Sequence, residues 1–139
     1  MLGEKTVLAI DPGSSKCGAA LVRRDDLGEL SLLWHGIIPA TEIAAKATAL
    51  HEEYNYGLVV VGSGTKSKTV IESLRELMPS IGILVVDEKD TTMQARERYW
   101  EMNPRRGLRK FIPATMQVPP DPVDDYVALI LAERVLLAN

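Results

Sequence analysis

Three strand-like segments follow one another at the start of the chain with little between them, and that spacing restricts the fold more than any other feature. Thr6-Val7-Leu8-Ala9-Ile10 is a compact apolar run closed by Asp11-Pro12-Gly13, the pattern of a buried strand ending in a turn. Ala19 to Arg23 reads as a second strand, Asp25-Asp26-Leu27-Gly28 as a turn, and Leu30 to Ile38 as a third strand. Parallel neighbours need a crossover of about a dozen residues or more. The two connections here are too short for that, so an antiparallel meander is expected, with Asp11 at the end of its first strand.

After Thr41 the periodicity changes. Ile43, Ala44, Ala47 and Leu50 are spaced for one face of a helix, with Thr41 placed to cap its start. Leu58 to Val61 is a fully apolar fourth strand, and Gly62 to Thr65 a loop. Val70, Ile71, Leu74 and Leu77 put a core face on a helix over Thr69 to Met78. Ile83 to Val86 gives a fifth strand, and Thr91 to Met102 a polar helix stopped by Pro104. The proline-rich stretch Gly107 to Pro122 has no clear period and reads as an irregular loop. Tyr126 to Leu137 supplies a long apolar helix that Asp124 or Asp125 can cap. The order βββαβαβα predicts an α/β fold with one mixed sheet of five strands and helices on its faces. With 139 residues, positions 1–139 are expected to form a single domain.

Composition bears on function more than on fold. The net charge of −3 and a pI near 5.4 count against a nucleic-acid binder, because phosphate contacts need Lys and Arg. The charges are segregated, however. Arg96, Arg98, Arg105, Arg106, Arg109 and Lys110 crowd a stretch whose acids are Glu97 and Glu101, which allows a local basic face. The N-terminus lacks a secretory pattern, and no apolar run approaches the ~18 residues of a membrane span. Cys17, the single cysteine, has no disulfide partner in the chain. A cytoplasmic protein with no membrane partner is expected. His35 and His51 have no Cys or His at metal-ligand spacing, so a zinc site is not.

Three acidic signals lie far apart, each where an element ends or starts: Asp11, Glu88 and the pair Asp124-Asp125. Singly, each has a plain explanation. Asp-Pro-Gly is good turn chemistry, and carboxylates at helix N-termini are stabilised by typically 0.3–1 kcal/mol. Jointly they predict a carboxylate cluster, since hard cations such as Mg²⁺ bind through one or two carboxylates plus substrate phosphates. Either Asp124 or Asp125 could be the last acid, the other serving as cap.

These segments resemble the YqgF/RuvX family of RNase H-like nucleases, known as Holliday-junction resolvase-like proteins and ribosomal RNA precursor nucleases. The resemblance covers most of the chain. Its motifs are Ala9-Ile10-Asp11-Pro12-Gly13 through Gly18, Asp87-Glu88-Lys89-Asp90-Thr91-Thr92 with Ala95, and Val123-Asp124 with the helix through Leu136. The likeness implies an RNase H-like sheet of three antiparallel then two parallel strands. It also implies a metal-dependent endonuclease whose catalytic and metal-binding acids are Asp11, Glu88 and Asp124 or Asp125. Mg²⁺ or Mn²⁺ would be the cofactor, RNA or DNA the partner, and a homodimer the form suited to a two-fold junction. Lys16, Lys66, Lys68, Arg96, Arg105, Arg106, Arg109 and Lys110 are the candidates for holding phosphates. The loop Gly62 to Lys68 is shorter than is usual in that family and lacks its proline. Two rival readings remain: a non-catalytic nucleic-acid- or protein-binding domain of the same fold, and an ATP-binding domain like those of sugar kinases and actin, which normally needs two such domains.

Overall fold

The meander forms. β1 (Lys5–Asp11), β2 (Lys16–Arg24) and β3 (Leu30–Pro39) pair antiparallel in sequence, with a bulge between Leu21 and Val22. A 3-10 turn at Ala40–Glu42 leads into α1 (Ile43–Tyr54), followed by β4 (Leu58–Gly62), α2 (Ser67–Leu77), β5 (Gly82–Val86), α3 (Thr91–Met102) and α4 (Asp124–Leu137). β4 pairs parallel to β1, and β5 parallel to β4, giving the strand order β3-β2-β1-β4-β5. The computed structural model describes residues 3–89, 91–102 and 124–138; within α3 the side chains of 92, 93, 96 and 100 lie outside that description. The predicted irregular loop, Gly107 to Pro122, also lies outside the described residues.

Both faces of the sheet are covered, which explains why β1 is apolar without alternation. Successive strand residues point to opposite faces. Leu8 and Ile10 therefore join Ala19, Leu21, Val59 and Val61 beneath α1 and α2, while Val7 and Ala9 join Ala20, Val22 and Val60 beneath α4. Val7 to Ile10 are at most 1% exposed. Burying a side chain of this size contributes about 1.5–3 kcal/mol for the larger aliphatics. α4 is apolar nearly all round because it is a buried helix, with the sheet on one side and α3 on the other. Its C-terminal end is held by Arg24, whose Nη1 donates to the Leu136 carbonyl at 2.7 Å. A cation there also complements the helix dipole.

Two local expectations are corrected. Thr41 does not cap α1: it lies inside the 3-10 turn that follows Pro39, and the residue before the helix, Glu42, makes no side-chain cap bond. Asp124 and Asp125 are not outside the last helix but form its first turn. Among the described residues no helix is long and apolar enough to cross a membrane.

Candidate carboxylate site

Asp11 is the last residue of β1 and falls on the α4 face, in step with Val7 and Ala9. Its register partner on β2 is Gly18. A Cβ placed on Gly18 would overlap the Asp124 carbonyl and would lie 2.6 Å from the Asp125 nitrogen. Only glycine lets the first turn of α4 rest directly on the strand, and that rest brings Asp124 within electrostatic range of Asp11.

Glu88 arrives from the other side. β5 ends at Val86, opposite Gly62 of β4, and the Ser63 N–H donates to the Val86 carbonyl at 2.8 Å. The Glu88 carboxylate lies over Gly62 and Gly64: a Cβ on Gly62 would collide with Oε1, and one on Gly64 would come within 3.1 Å of Oε2. The short loop after β4 therefore makes room for this side chain. The Glu88 carbonyl accepts from the Thr91 N–H at 3.0 Å and from Thr91 Oγ1 at 2.7 Å, which fixes the backbone at the start of α3.

The electrostatics follow from this crowding. Burial pushes the Asp11 carboxyl up to about 8, and a hydrogen bond with Glu88, the Glu88 charge and the Asp124 charge push the same way. Near neutral pH Asp11 keeps its proton. The nearby Cys17 thiol is also raised, chiefly by burial.

Asp125 points elsewhere. Neighbouring residues on a helix are turned by about 100° from one another, so two adjacent acids cannot share one target. Asp125 Oδ2 lies 2.6 Å from His35 Nδ1 on β3, and its Oδ1 accepts from the Tyr126 N–H at 3.1 Å. The geometry thus brings Asp11 and Glu88 together, leaves Asp124 within electrostatic range of Asp11, and pairs Asp125 with His35. That histidine carries no signal in the sequence, because its partner is 90 positions away.

Among the proposed phosphate contacts, Lys16 is exposed at the start of β2, and Lys66 and Lys68 are exposed where α2 begins, just after Gly64. The side chain of Arg96, and all of Arg105, Arg106, Arg109 and Lys110, lie outside the described residues.

Among the described residues no three His, Cys, Asp or Glu stand together as a ready ligand set. Mg²⁺ rarely demands one: it keeps several waters and takes one or two carboxylates with substrate phosphates. The Asp11–Glu88 pair fits that requirement. Glu88 Oε1 is buried with no hydrogen-bond partner, and Asp11 holds a proton that a cation can replace.

No protein-family model matches the chain, and no curated protein matches it. Solved structures do. A Thermus thermophilus RuvC structure has a TM-score of 0.62 at 16% identity, covering 96% of this chain and 94% of that one. T. thermophilus RuvC in complex with a Holliday junction substrate gives 0.58 at 15% identity, with the same coverage. The yeast mitochondrial Holliday junction resolvase Ydc2 gives 0.58 at 11%, covering 95% of this chain and 78% of that one. The fold is that of the RuvC-type, RNase H-like proteins.

Proposed function

We propose that this chain is a divalent-metal-dependent nuclease that hydrolyses phosphodiester bonds in nucleic acid, with Asp11, Glu88 and Asp124 as its acids and Asp125 as the anchor of the helix that carries Asp124. The observation that carries this reading is the Asp11–Glu88 pair, a carboxyl at the end of β1 and one just beyond β5 brought together over Gly62 and Gly64, with Glu88 Oε1 buried and without a hydrogen-bond partner and with the Asp11 carboxyl raised, first by burial and then by Glu88. Like-charge crowding of this kind is costly, and perturbed carboxylates in such settings mark functional sites. A bound Mg²⁺ or Mn²⁺ would orient and activate water and stabilise the leaving oxygen. Asp11 would give up its proton on binding, Glu88 would present the unpartnered Oε1, and Asp124 would add negative charge from the helix above. Lys16, Lys66 and Lys68 would contact phosphates on either side of the cut.

The fold shared with RuvC and Ydc2 supports a substrate of branched DNA, and the sequence resemblance to the YqgF/RuvX family supports ribosomal RNA precursors as well. On either substrate the protein would act in the cytoplasm, and as a homodimer on a two-fold junction. The test is cleavage of labelled single-stranded RNA, duplex DNA and four-way junction at low salt, with Mg²⁺, Mn²⁺ or EDTA. Wild type is expected to cut one class in a cation-dependent way and Glu88→Gln to fall to background. Equal cutting by a well-folded Glu88→Gln would remove the assignment, and no cutting by wild type would favour a binding domain.

A further inference from the structure

We propose that Arg134 is a positioning residue for the carboxylate site, acting on Glu88 through the backbone that carries it; the proposal rests on the metal-site reading above. Arg134 lies near the C-terminal end of α4. Its Nη1 donates to the Asp87 carbonyl at 3.1 Å, and its Nη2 donates to the Lys89 carbonyl at 2.6 Å and to Gln94 Oε1 at 2.9 Å. The carbonyl between these two, that of Glu88, is taken by Thr91. Three successive carbonyls are thus held, and the Glu88 side chain is left to meet Asp11.

Without this fork the segment would be a short link between an edge strand and a helix. Among the described residues its other backbone ties are the Thr91 bonds and the Lys89 N–H donated to Asp87 Oδ1 at 2.9 Å. The fork is referenced to a fixed body, because the adjacent Glu133 pairs with Arg98 of α3 at 2.7 Å. α4 therefore sets two of the three acids, Asp124 at its own N-terminus and Glu88 through Arg134. A planar guanidinium can bridge two carbonyls and an amide in one geometry, which the single ammonium of lysine cannot.

An exposed arginine can also be a surface contact worth little. The two roles separate by melting wild type, Arg134→Ala and Arg134→Lys in EDTA and across a Mn²⁺ titration. Wild type is expected to gain stability with Mn²⁺, as any ligand of the folded state requires. Arg134→Ala should keep a near-normal melting temperature in EDTA yet need about 10-fold more Mn²⁺ for the same rise, the loss typical of an outer-shell partner. Arg134→Lys should fall between, and carries the test alone should the alanine variant not fold. In a Glu88→Gln background, Arg134→Ala should change the Mn²⁺ response no further. A wild-type response in both Arg134 variants overturns the proposal by itself, as does a further loss in the Glu88→Gln background. No Mn²⁺ response in wild type removes the metal site and this proposal together.

Discussion

On the α1 and α2 side the sheet meets its helices through large side chains, Leu8, Ile10, Leu21 and Val61 packing with Ile43, Leu50, Val70 and Leu74. On the α4 side alanines are set among the larger residues, Ala9, Ala20, Ala128 and Ala132 beside Val7, Val22, Val60 and Leu131, and Gly18 lies where the helix begins, so that the first turn of α4 rests on the strand backbone. The distance between packed elements depends on the side chains at the contact. On the second side, the helix backbone rests on the strand, so small displacements pass directly to Asp124. The site lies on the close-packed side, where position is best defined.

The comparison predicts unequal consequences for equal insults. Leu21→Ala, on the thick side, should cost about 2–5 kcal/mol through lost burial and a cavity. Cutting per folded molecule should nevertheless stay at the wild-type level, read below the melting transition. A selective loss of cutting would mean that the two faces are not separable in this way.

Gly62→Ala should do the opposite. The added methyl meets the free end of the Glu88 side chain, not backbone, so the fold can yield there. Glu88 must then leave its seat, and a displacement of about 1 Å at a reacting centre can cost roughly 10²-fold in rate. Cutting should fall by that factor with a melting temperature close to wild type. Gly18→Ala combines both effects, since its methyl meets the backbone of Asp124 and Asp125. It should cost about 1–3 kcal/mol as overpacking and weaken the Mn²⁺ response as well. Denaturant melts with and without Mn²⁺ would show whether the two losses travel together.

The fold was open to reading because its signals are local. Short connections imposed the meander, periodicity located α1 and α2, and turn chemistry put Asp11 at a strand end. The site was only half legible. Asp11 and Asp124 stand at element ends and Glu88 between two elements, but which of two adjacent aspartates lies near Asp11 and which pairs with His35 depends on how α4 lies over β2 and β3. His35, set aside as isolated, is paired across 90 positions, and Arg134 reaches Asp87 across 47. Gly62 and Gly64 read as loop residues until Glu88 is laid over them. Thr41 was misread because Pro39 is followed by a 3-10 turn before the helix can start.

The smallest expected effect sharpens the comparison at its centre, because it has the opposite sign. The Asp11 carboxyl is raised to about 8 in the fold, first by burial and then by Glu88 and Asp124, against an unfolded value near ~3.9. Between these values the folded protein holds a proton that the unfolded chain has released, so stability falls as pH rises. The contribution is fully present below about pH 4 and is lost as pH climbs through about 8. Asp11 is partly exposed, so solvent reduces the effect to about 1–2 kcal/mol, or roughly 3–8 °C in melting temperature. In EDTA, Asp11→Asn should melt above wild type at pH 8 and match it near pH 4, although it cannot cut. Groups that do not interact with Asp11 titrate alike in both proteins and cancel in that difference. A wild type as stable as Asp11→Asn at pH 8 would mean that Asp11 is neither buried nor crowded by Glu88 and Asp124 as described, and the close-packed face would then lose the strained carboxyl that supports the metal reading.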